Sequence, residues 1–290
     1  MKNQVTYHFI EINGTNIFYR EAGPKNAPTL VLLHGYPASS HMFRNLIAEL
    51  SDEYHLIAAD YPGYGRSEQP PIAEFAYTFD NYAIIIEELL AKLDIQKYSL
   101  YLMDYGAPVG WRLASKYPEK IQSLIVQNGC AYAEGLETFW DPIKAYWIDR
   151  NNKEAEDTLR TFHNPDGLKW QYTHGLADTS VVSPDNWEID LHHLERPEND
   201  QIQLDMFYDY RTNPPQYPKW QQYLRDHAPE MLIVYGKNDY IFPVSGAEAY
   251  KRDVKNLEYH LFDAGHFALE SHGIEIAATI RDFLHRKVGK

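Results

Sequence analysis

The sequence predicts an α/β protein: a mostly parallel, eight-stranded sheet with helices on both faces and one helical insertion. Two observations carry this. Between residues 29 and 127, short apolar runs alternate with helix-period segments, as in parallel strands joined by helical crossovers. From about Tyr132 to Pro218 the alternation stops, giving way to helix-like pieces, Pro breaks and dense aromatics, and it resumes at Met231. The length of 290 residues suits one domain with an insertion. The expected division is therefore a core of residues 1–131 and 219–290 with an insertion over 132–218.

Thr6–Ile12 and Thr15–Arg20 are β-prone and flank Asn13-Gly14, a hairpin signal. Thr29–Leu33 is a continuous apolar run, the mark of a strand buried on both faces. Met42–Leu50 reads as a helix and Tyr54–Ala59 as the next strand. Residues 60–67 are too rich in Gly and Pro to be anything but a loop. Phe79, Tyr82, Ile86, Leu89, Leu90 and Leu93 recur at helical spacing, so Thr78–Leu93 is an amphipathic helix capped by Thr78. Tyr98–Met103 is a strand, followed by a helix to about Tyr117 and a strand at Ile121–Gln127. After the insertion come a strand at Met231–Tyr235, a helix at Ser245–Lys251, a strand at Leu257–Phe262 and a helix at Ile274–Leu284.

A net charge of −14 argues against nucleic acid and anionic membrane as partners. Cys130 is the only cysteine, so no disulfide forms within the chain, and a cytoplasmic setting is expected. Met1–Phe9 has no apolar run, hence neither a signal peptide nor a membrane span is expected. The oligomeric expectation is a monomer or homodimer.

Ligands of open α/β sheets bind beyond the carboxyl ends of the strands. Those ends carry His34-Gly35-Tyr36-Pro37, Asp104, Gly236-Lys237-Asn238-Asp239 and Asp263-Ala264-Gly265-His266-Phe267. Taken singly, each has a plain alternative: Asp104 as a helix N-cap, Asp239 as a turn residue, and His266 as one of 13 surface-type histidines. Together they supply a carboxylate, a second carboxylate and a histidine in the order nucleophile, acid, base.

With these motifs the sequence resembles the α/β-hydrolase superfamily over nearly its whole length. Within it, the chain resembles the epoxide hydrolase and haloalkane dehalogenase branch, whose nucleophile is Asp. The matching residues are His34-Gly35-Tyr36-Pro37, Gly63-Tyr64-Gly65-Arg66-Ser67, Asp104-Tyr105-Gly106, Asp239 and Gly265-His266-Phe267. Asp104 stands where the usual Gly-x-Ser-x-Gly elbow has Ser, and Leu102 replaces the first Gly. No Gly-x-Ser-x-Gly occurs in the chain, against an ordinary serine esterase.

The resemblance implies an α/β-hydrolase fold with a helical cap over the site, no cofactor and no metal. It implies main-chain N–H donors at Tyr36 and Tyr105 for an oxyanion, and a small apolar organic substrate attacked with water. Asp suits a saturated electrophilic carbon, since attack on an ester carbonyl would give a labile anhydride. Epoxide opening to a diol is expected first and dehalogenation second. Tyr36 and Tyr105 replace the Asn or Glu after His-Gly and the Trp after the nucleophile that dehalogenases often carry. Tyr210, followed by Arg211, resembles the second cap tyrosine of epoxide hydrolases. Tyr146 is the nearest candidate for the first, with Trp140 as an alternative facing the substrate.

Overall fold

The computed structural model describes residues 4–289. Met1–Asn3, the beginning of the stretch read as carrying no leader, and Lys290 lie outside the described residues.

Eight strands form one sheet: β1 (Thr6–Ile12), β2 (Thr15–Ala22), β3 (Thr29–Leu33), β4 (His55–Ala59), β5 (Tyr98–Met103), β6 (Ile121–Gln127), β7 (Met231–Gly236) and β8 (Leu257–Phe262). Their spatial order is β1-β2-β4-β3-β5-β6-β7-β8. Only the β1–β2 and β2–β4 pairs are antiparallel. The β1–β2 hairpin turns on Asn13 and Gly14, both at positive φ (51° and 80°), which the tight turn requires.

The helices are α1 (Arg44–Leu50), α2 (Phe79–Lys92), α3 (Gly106–Lys116), α4 (Asp141–Ile148), α5 (Lys153–Thr161), α6 (Pro165–Thr173), α7 (Asp185–Leu194), α8 (Asn199–Asp209), α9 (Tyr217–His227), α10 (Val244–Ala249) and α11 (Ala268–Lys287). Thr78 caps α2 by accepting from the Asn81 N–H at 3.2 Å. The helix expected at Met42–Leu50 opens as a 3₁₀ turn, Ser40–Phe43, before α1. The last helix is longer than expected. His272 is non-helical within it (φ −125°), and Gly273 follows, so only the part from Ile274 carries an unbroken helical period.

Strands β3, β4, β5 and β7 are buried along their whole length, so they feed two cores by alternation. Val31, Leu33, Leu100 and Leu102 face α2 and α3, meeting Phe79, Ile86, Val109 and Trp111. Leu30, Leu32, Tyr101 and Met103 share the other core with Leu46 and Ile47 of α1 and Ile276, Ile280 and Phe283 of α11. Each fully buried aliphatic or Phe side chain contributes about 1.5–3 kcal/mol of transfer free energy, so the central strand ends are held rigidly. Helices α4 to α9 come between β6 and β7 in the chain. Among the described residues no helix is long and apolar enough to cross a membrane.

Candidate active site

The site assembles beyond the carboxyl ends of β3, β5, β6, β7 and the edge strand β8. Asp104 follows β5 directly and has φ +48°, a left-handed conformation costing an L-residue about 1–2 kcal/mol. Buried neighbours impose it. A Cβ on Gly106 would stand 2.1 Å from the Leu33 carbonyl oxygen, and one on Gly35 would stand 2.2 Å from the Asp104 side chain. Glycine at both positions lets the β3 loop and the start of α3 close on the carboxylate.

Asp104 Oδ1 accepts from the main-chain N–H of Tyr36 at 2.7 Å and of Tyr105 at 2.6 Å. The sequence named these two donors. The second oxygen, Oδ2, lies 3.8 Å from His266 Nε2, which has no hydrogen-bond partner among the described residues. His266 Nδ1 is 2.8 Å from Asp239 Oδ2, so Nδ1 carries the proton and Nε2 of the neutral ring keeps a lone pair towards Asp104. Asp239 also accepts from Ile241 N–H at Oδ1 (2.7 Å) and from Asn128 Nδ2 at Oδ2 (2.8 Å).

Asn128 was not singled out from sequence. It follows β6 with φ +46°, and its Oδ1 also accepts from Gly236 N–H at 3.0 Å, tying the β6 end to the β7 end under Asp239. The available signal was an Asn-Gly pair at the carboxyl end of a central strand.

Burial pushes the Asp104 carboxyl up, to about 6; the nearby His266 and the two N–H donors oppose it, and Asp239 adds to it. Burial also works against a charged His266, but Asp239, by charge and hydrogen bond, and then Asp104 outweigh it, so its pKa is raised. A carboxyl at this position could act as a nucleophile only as the carboxylate. Its reactive fraction should therefore be full well above pH 6 and fall about tenfold per unit below it. A profile of kcat/KM against pH checks this, and one flat down to pH 4.5 would contradict it.

Beside Asp104 is a closed chamber of ≈10 Å³, room for the centre of about one water. Its walls are Tyr36, Tyr105, Phe139, Trp140, Ile143, Phe162, Gln171, Phe207 and Ile241. A larger groove of ≈870 Å³ opens between the β1–β2 hairpin and α7, lined by Tyr7, Phe9, Arg20 and Glu188 among others. It contains neither Asp104 nor His266.

The chamber's donors are mostly committed. The Tyr36 hydroxyl donates to the Phe162 carbonyl and meets His163 Nδ1, both at 2.8 Å. Trp140 Nε1 donates to the Ile241 carbonyl at 2.7 Å. Gln171 Nε2 donates to the carbonyls of Phe162 and Gly167. The buried Tyr105 hydroxyl has no partner among the described residues.

Neither Tyr210 nor Tyr146 forms part of the chamber wall. Tyr210 lies in the turn after α8, against Trp140 (ring centroids 4.4 Å apart), Phe79 (5.4 Å) and Trp147 (6.2 Å), and its buried hydroxyl has no partner among the described residues. Tyr146 lies one turn beyond Ile143 on α4 and packs on Tyr208 of α8 instead. No group of three or more His, Cys, Asp or Glu side chains among the described residues is arranged to hold a metal.

The family model of the alpha/beta hydrolase fold matches residues 28–273, and the chain belongs to that family. It is 42% identical to an uncharacterized hydrolase of Saccharomyces cerevisiae over 94% of this chain and 95% of that one. It is 27% identical to a cis-3-alkyl-4-alkyloxetan-2-one decarboxylase of Shewanella oneidensis (96% and 87% covered) and 25% identical to epoxide hydrolase 3 of Mus musculus (97% and 77%). Solved structures of an epoxide hydrolase and a haloalkane dehalogenase share the fold, with TM-scores of 0.79 and 0.81 at 19% and 20% identity.

Proposed function

We propose that this hydrolase opens epoxides of small apolar compounds through an ester formed on Asp104. One observation carries the reading: a buried carboxylate with one oxygen held by two N–H donors and the other facing a histidine backed by a second carboxylate. Asp104 Oδ2 attacks a ring carbon, the C–O bond breaks, and the departing oxygen takes a proton. His266 then removes a proton from water, which attacks the Asp104 carbonyl carbon. Tyr36 and Tyr105 N–H hold the oxyanion, each such donor contributing roughly 3 kcal/mol. As the tetrahedral adduct collapses, the leaving diol oxygen takes the proton held by His266, and the proton left on Asp104 returns to the group that protonated the first departing oxygen, restoring the carboxylate. Esterification removes the Asp104 charge that helps hold His266 protonated, so the base is freed at the step that needs it. No metal or cofactor enters this sequence. A cytoplasmic location suits a chain with a single cysteine.

The leaving group decides between epoxide and halide. A halide needs N–H donors, and the chamber's Trp140 and Gln171 N–H groups already serve carbonyls. A departing alkoxide needs an O–H. Burial keeps the Tyr105 phenol protonated, and its hydroxyl carries no bond that must first be broken. We therefore assign the donor to Tyr105, with Tyr210 behind it at 6.1 Å between ring centroids. Tyr105→Phe keeps the main-chain donor and should slow epoxide turnover by about 10²-fold, the lower range for general acid catalysis. Tyr210→Phe should cost less than about threefold. Full epoxide activity in the double variant would remove both tyrosines as the proton donor. Halide release from haloalkanes, with epoxides untouched, would put dehalogenation in its place.

A further inference from the structure

The chamber is too small for any organic substrate as it stands, so something must open. Three of the ties between the helical insertion and the core lie beside the chamber and the loops that carry its acid and base. Tyr36 bonds Phe162 and His163, and Trp140 bonds Ile241. In the third tie, Asn238 Nδ2 donates to the Gly175 carbonyl at 2.8 Å. There the backbones touch. A Cβ on Gly175 would stand 2.7 Å from the Asn238 carbonyl oxygen, and one on Gly265 would stand 1.9 Å from that of His174. Lifting the insertion breaks all three ties and disturbs the loops that carry Asp239 and His266.

A cheaper route runs through side chains. Phe139 and Phe162, both on the chamber wall, stack at 5.0 Å and 17°. Phe139 also stacks on Trp170 at 6.0 Å and 3°. Tyr240 closes this column from outside, edge-on to Phe139 (6.3 Å, 85°) and to Trp170 (6.2 Å, 88°), and is 47% exposed. Its neighbours in sequence are immobile: Asp239 is held by His266, Asn128 and the Ile241 N–H, and Ile241 lines the chamber. Its ring is thus the half-exposed member of the column, on a fixed backbone beside the acid.

We propose that Tyr240 is the swinging member of an aromatic portal and sets which substrates reach Asp104. The flat rings beneath it favour planar apolar groups, which slide between stacked faces. The inference rests on Asp104 being the reacting group. Tyr240 is a specificity-determining residue and takes no part in bond making.

The test compares wild type, Tyr240→Phe, Tyr240→Ala and Tyr240→Trp with styrene oxide and propylene oxide. Tyr240→Ala should raise kcat/KM for the aryl epoxide about tenfold and leave the small epoxide within about twofold. Tyr240→Phe should match the wild type, because the ring and not the hydroxyl blocks the way. Tyr240→Trp should slow the aryl substrate. A chemistry-free arm uses stopped-flow binding of 1-phenyl-1,2-ethanediol, read by tryptophan emission. Tyr240→Ala should raise its association rate by a similar factor whether or not epoxides are opened. A changed association rate without epoxide turnover removes the proposed reaction and leaves the portal standing. An association rate and an aryl-to-alkyl ratio both unchanged in Tyr240→Ala overturn the portal, as does the absence of diol binding to wild type and variant alike.

Discussion

Asp104→Ala should abolish turnover, by on the order of 10⁵-fold or more, the scale of losing the nucleophile of a covalent mechanism. The loss should fall on kcat, because the chamber walls that bind substrate are untouched. Every other group at the site is placed with respect to this carboxylate: two N–H donors on one oxygen and His266 beside the other. The wild type offers a sharper version of the test. In the proposed mechanism water attacks the Asp104 carbonyl carbon in the second step, so a first turnover in ¹⁸O-water should place label in the peptide containing Asp104 and none in the product. Label found in the first-turnover product, with an unlabelled protein, would mean that water attacks substrate directly and that Asp104 is a base.

His266→Gln should separate the two steps. Forming the ester needs no base, since Asp104 is already ionised above about pH 6. Hydrolysing it needs a proton taken from water, and the Nε2 lone pair facing Asp104 is the group placed to take it. The variant should form the adduct at a rate within about tenfold of the wild type and release it about 10³-fold more slowly, within the range of general base catalysis. Intact mass should show protein plus one substrate. A variant that binds substrate without gaining mass would place His266 in the first step. Because Gln restores only part of the bond to Asp239, thermal melting of the same sample separates a chemical defect from a misplaced loop.

The order of strands and helices was legible because each element carries its own period. β3 and β5 are short, mostly apolar and bounded by loop residues; α2 repeats its apolar residues every three or four positions and begins at a Thr cap. Asp104, Asp239 and His266 could be placed at strand ends from sequence, and the folded chain brings them to 2.8 and 3.8 Å of one another along the line Asp239–His266–Asp104. The tyrosines of the insertion were a different matter. Its helices are amphipathic and aromatic on several sides, so spacing does not say which ring faces the chamber. Tyr210 carries a suggestive local motif, yet it packs against three other rings and forms no part of the chamber wall.

By itself, then, the sequence determined the sheet, its insertion and the chemical inventory at the strand ends, since hydrophobic period, turn residues and chain order are local properties. Only the tertiary structure decided that Asn128 supports Asp239, that Tyr105 rather than Tyr210 stands on the chamber wall, and that Tyr240 packs edge-on against Phe139. Those facts depend on contacts between residues far apart in the chain. Such contacts follow from how whole faces pack, with backbone touching backbone at Gly175 and Gly265, and no local pattern encodes them.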